Sequence, residues 1–412
     1  MRSAAREIPQ HVSPGSRRRL RVLLLAPHPF FQHRGTPIAE RALLEVLSAQ
    51  GHSVDVVTFP EGEAVDVPGC RIYRTPRLPG VRNVRPGFSL KKLLYDVLLF
   101  VRAGALARGG RYDVIHAVEE SVFIAIVLGP LFRVPYVYDM DSSLPEQLTE
   151  RFPLLGRVRW ALGAMERLAV RRAAAVLTVC RSVEEVARRH APDRLIARIE
   201  DTSMLGTGGD DGPVERIADR IGPDRGAIAM YVGNLEKYQG IDLLLEAFQR
   251  VAAEELGAHL VVIGGDDARI RHYTGLAQRL GVERRVHFLG PRPLPQLGAY
   301  LRQADVLVSP RIAGTNTPMK IYSYLDSGRP VVATRLPAHT QVLDDEIACL
   351  VDPTPEDLAE GLVRLFRDAE LRMLLARRAR ERFQREFGPE VFRERILRFY
   401  GQLEELLQPR GV

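Results

Sequence analysis

One lysine stands where the electrostatics of a helix disfavour it, in the stretch GTNTPMKIYSYLDSGRPVVAT at residues 314–334. Thr317 is a good helix N-cap, Pro318 suits the first helical position, and Gly328 ends the helix. Lys320 then lies in the first turn, where the positive end of the helix dipole repels a cation. Because helix starts bind anions, the lysine predicts a phosphate-bearing ligand. The alternative interpretation is a solvated lysine on a surface helix.

Glycine-containing loops follow other predicted strands, where an open α/β sheet binds its ligands. GNLEKYQG at 233–240 contains Lys237, and IGGDD at 263–267 contains two glycines that would let a ligand approach the backbone. The sequence after the first strand, HRGTPIAER, places Gly35 before Thr36 and a proline, which repeats the Thr-Pro helix start of the other half. The chain has no G-x-G-x-x-G after a strand and no G-K-[ST], so a dinucleotide fingerprint and a P-loop are not supported.

Acidic side chains and a histidine belong to two further strand ends. His116 and Glu119 mark the end of one strand, and Asp139 and Asp141 mark the end of another. Carboxylates and imidazole orient hydroxyl groups and move protons, so these residues are candidates for transfer to an alcohol. His116 could instead be a hydrogen-bonded core residue. Asp139 and Asp141 could instead hold a hard cation that bridges phosphates.

The elements that must position these residues alternate regularly between strand and helix. LRVLLLAP, HSVDVVTF, YDVIHAV, PYVYDMD and AAVLTVC are apolar strand patterns separated by helical segments, and AIAMYVGN, AHLVVIGGD, RRVHFLG, ADVLVSP and GRPVVAT continue the alternation. Strands with few polar positions indicate parallel sheets that are covered on both faces. The predicted fold class is therefore α/β, with two doubly wound Rossmann-like domains that face each other across a cleft.

The predicted domain organisation has five parts. Residues 1–19 form a disordered basic tail, 20–203 the N-terminal domain, and 204–226 a linker rich in Gly and Asp. Residues 227–388 form the C-terminal domain, and 389–412 a helix that packs back on the N-terminal domain. The amphipathic pattern of PEVFRERILRFYGQLEELL is the reason for that last expectation.

Composition limits the classes of function. The 412 residues carry a formal net charge of +7, which would suit nucleic acid, an anionic membrane or a phosphate-bearing small molecule. No nucleic-acid-binding motif is visible, so a nucleic-acid partner is not expected. Three scattered cysteines argue against a disulfide framework and a structural zinc site, and they favour a reducing cytoplasm.

One segment departs from the strand and helix alternation. SLKKLLYDVLLFVRAGALARGGR, residues 89–111, has an apolar run that Asp96 and Arg102 interrupt, and it is too short to span a bilayer. It could be a core or interdomain helix, or a helix that lies at an anionic membrane surface with its lysines and arginines as anchors.

Taken together, several of these segments resemble one known family. GTPIAERALLEVLSAQGHSVDVVT, YDVIHAVEE, YVGNLEKYQGIDLLLEAF, LVVIGGD, RVHFLG, ADVLVSP and TPMKIYSYLDSGRPVVAT are similar to the motifs of the retaining glycosyltransferases usually called family 4. The resemblance covers the chain from about residue 20. It implies the two-Rossmann-domain GT-B fold, a nucleotide-sugar donor linked to UDP or GDP, and no metal or other cofactor.

The resemblance also implies which residues form the site. The donor would bind the second domain, with its base near VHFLG and its diphosphate at 315–320 and 233–240, while a lipid-linked, polysaccharide or small-molecule acceptor would bind the first. The donor-binding residues implied are Gly35, Gly233, Asn234, Lys237, Gln239, Gly264, Gly265, Asp266, Phe288, Leu289, Thr315, Asn316, Thr317, Pro318, Met319, Lys320 and Ser323. The catalytic residues implied are His116, Glu119, Asp139 and Asp141.

The chain departs from the family pattern at several of these positions. Thr315 and Ser323 occupy the places of two glutamates, and Asn234 and Gln239 those of an arginine and a lysine. Val118 replaces a second histidine, and Asp141 stands where a histidine is frequent in the closest relatives. The departures motivate an alternative hypothesis, a catalytically weak or inactive partner subunit. A sugar-nucleotide epimerase or a phosphorylase is a third reading, on fold grounds alone.

Overall fold

The computed structural model describes residues 19–32, 35–79, 89–151, 157–205, 214–222, 226–254 and 257–408. Nearly all of the predicted basic tail and much of the predicted linker lie outside these residues. The described chain forms two parallel sheets covered by helices, which confirms the predicted fold class.

The first sheet has seven strands in the order β3-β2-β1-β4-β5-β6-β7, and neighbouring strands run parallel. Its five inner strands are almost wholly buried, as their apolar sequences predict, whereas the two edge strands are partly exposed. Their bounds are β1 Arg21–Ala26, β2 Ser53–Thr58, β3 Cys70–Arg74, β4 Val114–Val118, β5 Tyr136–Met140, β6 Ala175–Thr178 and β7 Leu195–Arg198.

The second sheet has six strands in the order β10-β9-β8-β11-β12-β13, again parallel. In both sheets the strand order reverses next to the first strand of the domain, which is the point where doubly wound sheets bind ligands. The strands are β8 Ile228–Val232, β9 His259–Ile263, β10 Val286–Gly290, β11 Val306–Ser309, β12 Val331–Thr334 and β13 Cys349–Val351.

The helices of the first domain divide between the two faces of its sheet. They are α1 Gly35–Ala49, α2 Leu90–Gly109, α3 Val122–Phe132, α4 Leu144–Arg151, α5 Arg159–Arg172 and α6 Arg181–His190. Helices α2, α3, α5 and α6 share one core with the sheet, and α1 lies on the opposite face.

The helices after residue 214 are α7 Ile217–Ile221, α8 Ile241–Ala253, α9 Asp267–Arg279, α10 Leu297–Leu301, α11 Lys320–Asp326, α12 Pro337–Thr340, α13 Pro355–Arg367, α14 Ala369–Glu386 and α15 Pro389–Leu407. Among the residues described, no helix is both long enough and apolar enough to cross a membrane.

The last helix belongs to the core of the first domain. Pro389 occupies its first turn, and Phe392, Ile396 and Phe399 pack with β1, β2 and α1. Residues spaced three or four apart lie on one face of a helix, so the amphipathic pattern turns this apolar stripe inward. The chain therefore passes from the first domain to the second and returns.

Candidate functional site

The candidate site lies at the carboxyl ends of the central strands of both sheets. In the first domain, His28 follows β1, Glu119 follows β4 and Asp141 follows β5. In the second domain, Gly233 follows β8 and Arg311 follows β11. The loops of the second domain supply cationic side chains and glycine backbone, and the loops of the first domain supply carboxyl groups.

Lys320 is buried and has no anionic partner among the described residues. Its side chain is 7% exposed, and its Nζ donates a hydrogen bond of 2.9 Å to Oε1 of Gln239. The same Nζ lies 4.0 Å from the centre of the Tyr231 ring. Burial, together with the positive charge of Arg311, holds the pKa of Lys320 well below its usual value. The lysine is thus a desolvated amine whose direct contacts, Gln239 and Tyr231, are neutral and whose charged neighbour, Arg311, is positive.

The helix start predicted at Thr317 and Pro318 is wrong by two residues, because α11 begins at Lys320 and Met319 occupies the N-cap position. The residues before it form a turn in which the Pro318 carbonyl accepts from the Ile321 N–H at 2.9 Å, and the Met319 carbonyl accepts from the Tyr322 N–H at 3.2 Å. The Thr317 hydroxyl is buried near the Tyr322 phenol and does not cap the helix. The helix has only seven residues, so Lys320 and its surrounding loops, rather than a helix dipole, characterise the site.

Arg311 is a candidate that the sequence reasoning missed. Its side chain is 8% exposed, and its guanidinium donates to the carbonyl oxygens of Ala313 at 2.7 Å and Asn316 at 2.9 Å. It also lies over the Tyr238 ring at 5.1 Å. Arg311 thereby shapes the loop that precedes Lys320. The signal available in the sequence was the position of Arg311 directly after the predicted strand ADVLVSP.

Two glycine loops bring their backbone close to Lys320. A Cβ added to Gly233, whose φ is +151°, would lie 3.0 Å from the Lys320 Nζ. A Cβ added to Gly264, whose φ is +110°, would lie 2.1 Å from the Gly233 carbonyl oxygen. Neither position accommodates a side chain without a shift of its neighbours, so these predicted donor residues form a tight backbone wall beside the lysine.

Thr315 and Ser323, which replace two glutamates of the family pattern, are both used inside the protein. The Thr315 hydroxyl donates a 3.0 Å bond to Oε2 of Glu146 on α4, which belongs to the other domain. Ser323 is fully buried, and its hydroxyl accepts from the Met204 N–H at 2.9 Å. Ser182 also donates to the Thr315 carbonyl, at 3.1 Å. The segment 315–323 is thus hydrogen-bonded to the first domain and to Met204, which lies in the chain between the two domains.

The remaining predicted donor residues have varied positions. Asn234 and Lys237 are exposed at the loop tip, and the Asp266 carboxylate caps α9 by accepting from the Arg269 N–H at 2.9 Å. Phe288 is half-buried and Leu289 buried, and both pack into the cores of the second domain. Gly265, like Gly264, has a positive φ and lies at the end of β9.

His116 connects three elements from the interior of the first domain. Its side chain is 0% exposed; its Nε2–H donates to Asp139 Oδ2 at 3.1 Å, and its Nδ1 accepts from the Tyr400 hydroxyl at 2.8 Å. The two rings are stacked, with an interplanar angle of 7°. With both nitrogens engaged and no exposed surface, His116 positions Asp139 and α15 and does not face the cleft. This arrangement agrees with the alternative interpretation of His116 as a hydrogen-bonded core residue, and its catalytic role stays a prediction.

Glu119 has an unusual backbone conformation and an unusual pKa. Its φ is +48°, a left-handed value that is rare for a glutamate and that often marks functional sites. Burial and the neighbouring Glu120 raise the pKa of Glu119 to about 7. Lys92 forms an ion pair with Glu120, which anchors the turn.

His28 was also missed by the sequence reasoning. Its Nε2–H donates a 2.9 Å bond to Oε1 of Glu40, within a buried pair. Burial alone would lower the pKa of His28, but the charge and hydrogen bond of Glu40, together with smaller contributions from Glu119 and Pro29, outweigh it, so the pKa is raised. Because the partners lie twelve residues apart, on a strand end and on α1, no short motif reveals them.

Asp141 lies at the first-domain end of the site. The Thr36 hydroxyl donates a 3.0 Å hydrogen bond to Oδ2 of Asp141. The Thr-Pro pattern predicted that Thr36 caps α1, but the helix begins at Gly35, so Thr36 lies within its first turn. Burial, followed by the charges of Asp139 and Glu119, raises the pKa of Asp141 well above its usual value. Among the described residues, no three His, Cys, Asp or Glu side chains are arranged to hold a metal ion.

Comparison with known proteins places the chain among sugar-transferring enzymes. Residues 35–199 match the family model for a glycosyl transferase 4-like domain, and residues 226–368 match the model for glycosyl transferases group 1. The chain is 28% identical over 368 residues to D-inositol 3-phosphate glycosyltransferase of Corynebacterium efficiens, covering 81% of this chain and 82% of the relative. It is 25% identical to phosphatidyl-myo-inositol mannosyltransferase of Mycobacterium leprae, covering 92% and 96%.

Solved structures agree with this placement at the level of the fold. Sucrose-phosphate synthase from Thermosynechococcus elongatus superposes with a TM-score of 0.74 at 23% identity, covering 93% of this chain and 99% of that chain. HepE from Anabaena, solved with UDP and glucose, superposes with a TM-score of 0.69 at 18% identity, covering 92% and 98%.

Proposed function

The chain belongs to the glycosyltransferases built from two Rossmann-like domains, and we propose that it moves a sugar from a UDP- or GDP-linked donor to a hydroxyl acceptor. We further propose that transfer retains the configuration of the sugar and needs no metal ion. HepE was solved with UDP-glucose, and two curated relatives are named for inositol-containing acceptors. These names support a nucleotide sugar as donor and a polyol, sugar or lipid-linked hydroxyl as acceptor.

The observation that carries the proposal is the buried amine of Lys320, which has no anionic partner in the part of the chain that the structure describes. Desolvating an ammonium group costs free energy unless an anion joins it. Arg311 adds a second buried cation, and its charge contributes to the lowered pKa of Lys320. A nucleoside diphosphate bound between Lys320 and the Gly233 loop would supply the missing negative charge, which makes this position the proposed diphosphate site.

The same groups would assist the chemical step. As the bond between the sugar C1 and the diphosphate oxygen breaks, its electron pair goes to that oxygen, and the sugar becomes oxocarbenium-like. Lys320 and Arg311 would stabilise the developing charge on the diphosphate. The acceptor oxygen then bonds to C1 and gives up its proton.

The first domain would hold the acceptor hydroxyl. Glu119, with a pKa of about 7, is suited to accept a hydrogen bond from the hydroxyl or its proton near neutral pH. Asp141 lies near enough for its charge and that of Glu119 to affect each other. These acidic groups would repel an anionic nucleophile, so we propose that the reacting group of the acceptor is a neutral hydroxyl.

Calorimetric titration with UDP, GDP and other nucleoside diphosphates tests the proposal. We expect at least one of them to bind, and we expect its affinity to be insensitive to a chelator. Binding of none would contradict the proposed donor site. Release of nucleoside diphosphate from a nucleotide sugar, with product stereochemistry read by NMR, then tests transfer and retention.

A second candidate is a catalytically weak partner subunit of the same fold. Thr315 and Ser323 favour it, because both hydroxyls are engaged in contacts within the protein. Donor turnover by the purified protein alone would eliminate this candidate. Binding of a nucleoside diphosphate without turnover would support it.

We place the reaction in the cytoplasm. The three cysteines, Cys70, Cys180 and Cys349, are free thiols, which suits a reducing compartment. Fractionation of cells that express the full chain, with each fraction probed by antibody, tests this location.

A further inference from the structure

One side of the first domain exposes an unusual amount of apolar surface. Helices α2, α3 and α5 cover the same face of the sheet, and α3 packs against both of the others. Their exposed apolar side chains, here called the apolar face, include Leu94, Val97, Val101, Leu131, Trp160 and Leu168. Trp160 is 78% exposed, Leu131 66% and Val101 60%. Exposed apolar side chains of this size on three neighbouring helices of one face mark an interaction surface.

The apolar face is additional to the core of the domain. Helix α2 already packs Tyr95, Leu99 and Ala103 against the sheet, and all three are 0% exposed. Leu94, Val97 and Val101 lie outside that packed side. The helix therefore has a second apolar stripe, which the folding of this domain leaves uncovered.

The charges around the apolar face have one sign. The exposed charged residues on the three helices are all basic: Lys91, Arg102 and Arg108 on α2, and Arg159, Arg167, Arg171 and Arg172 on α5. The acids on these helices are turned away, since Glu166 is buried against His190 and Leu144, and Asp96 is largely buried. Long basic side chains can extend their charges beyond an apolar surface.

We propose that the apolar face docks on an anionic lipid bilayer. Aliphatic side chains would enter the acyl boundary, the only tryptophan of the chain would lie at headgroup depth, and the arginines would meet lipid phosphates. A protein partner would have to present acidic side chains matched in position to these basic residues around an apolar centre, whereas a bilayer needs no such match. A bilayer offers apolar depth and a uniform negative surface, which fits both features.

The apolar face is connected to the cleft. Lys92 near the start of α2 forms an ion pair with Glu120, beside Glu119. Glu166 of α5 accepts from the Leu144 N–H at 2.9 Å, at the start of the helix that carries Glu146. Docking would therefore bring the acceptor side of the cleft close to the headgroups. That consequence for the acceptor rests on the proposed function, whereas docking itself does not.

Trp160 provides a direct assay because the chain has no other tryptophan. The full-length protein is mixed with phosphatidylcholine vesicles, with or without phosphatidylglycerol, and Trp160 emission and sedimentation are measured. We expect a blue shift and co-sedimentation with the anionic vesicles, weakened by salt because charges at the surface are screened. Unchanged Trp160 emission with anionic vesicles would overturn the proposal.

Two sets of variants locate the contact. The triple variant Val97→Ser, Val101→Ser, Leu131→Ser should lose vesicle binding, and Arg167→Gln should weaken it about fivefold. Met373→Ser with Leu406→Ser, which alters side chains that are 67% and 54% exposed outside the apolar face, is the matched control and should bind normally.

The affinity for a nucleoside diphosphate is also measured on each variant. Normal affinity shows that the variant is folded, so a loss of vesicle binding is then a failure of docking and not of the proposed donor site. Equal vesicle binding by the triple variant and the control would contradict the assignment of the apolar face. A dimer in sedimentation velocity that the triple variant abolishes, without vesicle binding, would assign the face to a second copy of the chain.

Discussion

Replacing Lys320 by methionine should separate ligand binding from folding. Methionine fills much of the same buried space without a charge, so the amine that contacts Gln239 and Tyr231 is removed with little loss of packing. A hydrogen bond to a charged group contributes about 1.5–3 kcal/mol. We therefore expect the Kd for the bound nucleoside diphosphate to rise roughly 10- to 150-fold.

Proton uptake gives a sharper measure of the same interaction. The pKa of Lys320 is held well below its usual value in the free protein, and a neighbouring diphosphate should raise it. Between the two pKa values, binding takes up as much as one proton, so affinity falls as the pH rises. Titration at a pH above the phosphate pKa of about 6 keeps the ligand fully ionised.

Calorimetry in buffers of different ionisation enthalpy measures this uptake. The observed enthalpy of the natural protein should vary with the buffer, and Lys320→Met should abolish that variation. Lys91→Met removes an exposed lysine from α2 and is the charge-matched control. Equal affinity and equal proton uptake in Lys320→Met and the natural protein would refute the reasoning.

Unliganded Lys320→Met should also be at least as stable as the natural protein in urea unfolding, because a desolvated amine has been removed.

Three further predictions concern other residues. Gly264→Ala would set a Cβ 2.1 Å from a carbonyl oxygen, so we expect a loss of ~2 kcal/mol or more in urea unfolding, whereas Gly163→Ala, in an open helical position, should be neutral or stabilising. Glu146→Ala removes the acceptor of the Thr315 hydroxyl, so hydrogen exchange should increase for the amides of 315–320 and stay unchanged in α15; unchanged exchange at 315–320 would contradict this. Burial and the charge of Asp139 raise the pKa of Asp201 to about 7, whereas an unfolded aspartate has a pKa of about 4. The folded state therefore binds this proton more tightly, and the contribution of Asp201 to the free energy of unfolding should fall as the pH rises from about 4 to about 7. The slope should be up to ~1.4 kcal/mol per pH unit. Asp201→Asn should reduce that slope, and an unaltered slope in urea unfolding across this pH range would argue against the assignment.

Much of the fold was predictable because its signals are local. The apolar strand runs and their alternation with helices predicted both parallel sheets, and amphipathic spacing predicted the helix that the structure has at Pro389–Leu407. The helix start near Lys320 was misplaced because Thr317 and Pro318 form a buried turn, where tertiary contacts override capping preference.

The parts of the site that could not be predicted depend on long-range pairing. The bond from Thr315 to Glu146 joins residues 169 positions apart, and His116 meets Tyr400 across 284 positions. No periodicity or spacing encodes such partners. The role of Arg311 depends on the path of its own loop, which sequence alone leaves undefined.

The return of α15 to the first domain has a consequence for biosynthesis. Phe392, Ile396, Phe399, Tyr400 and Leu403 of α15 complete a core whose other buried members are found between residues 20 and 199. During translation, domains generally fold in the order in which they are made. Here the domain that is made first receives its last core side chains after the second domain has been synthesised, so its folding is completed only when α15 has left the ribosome.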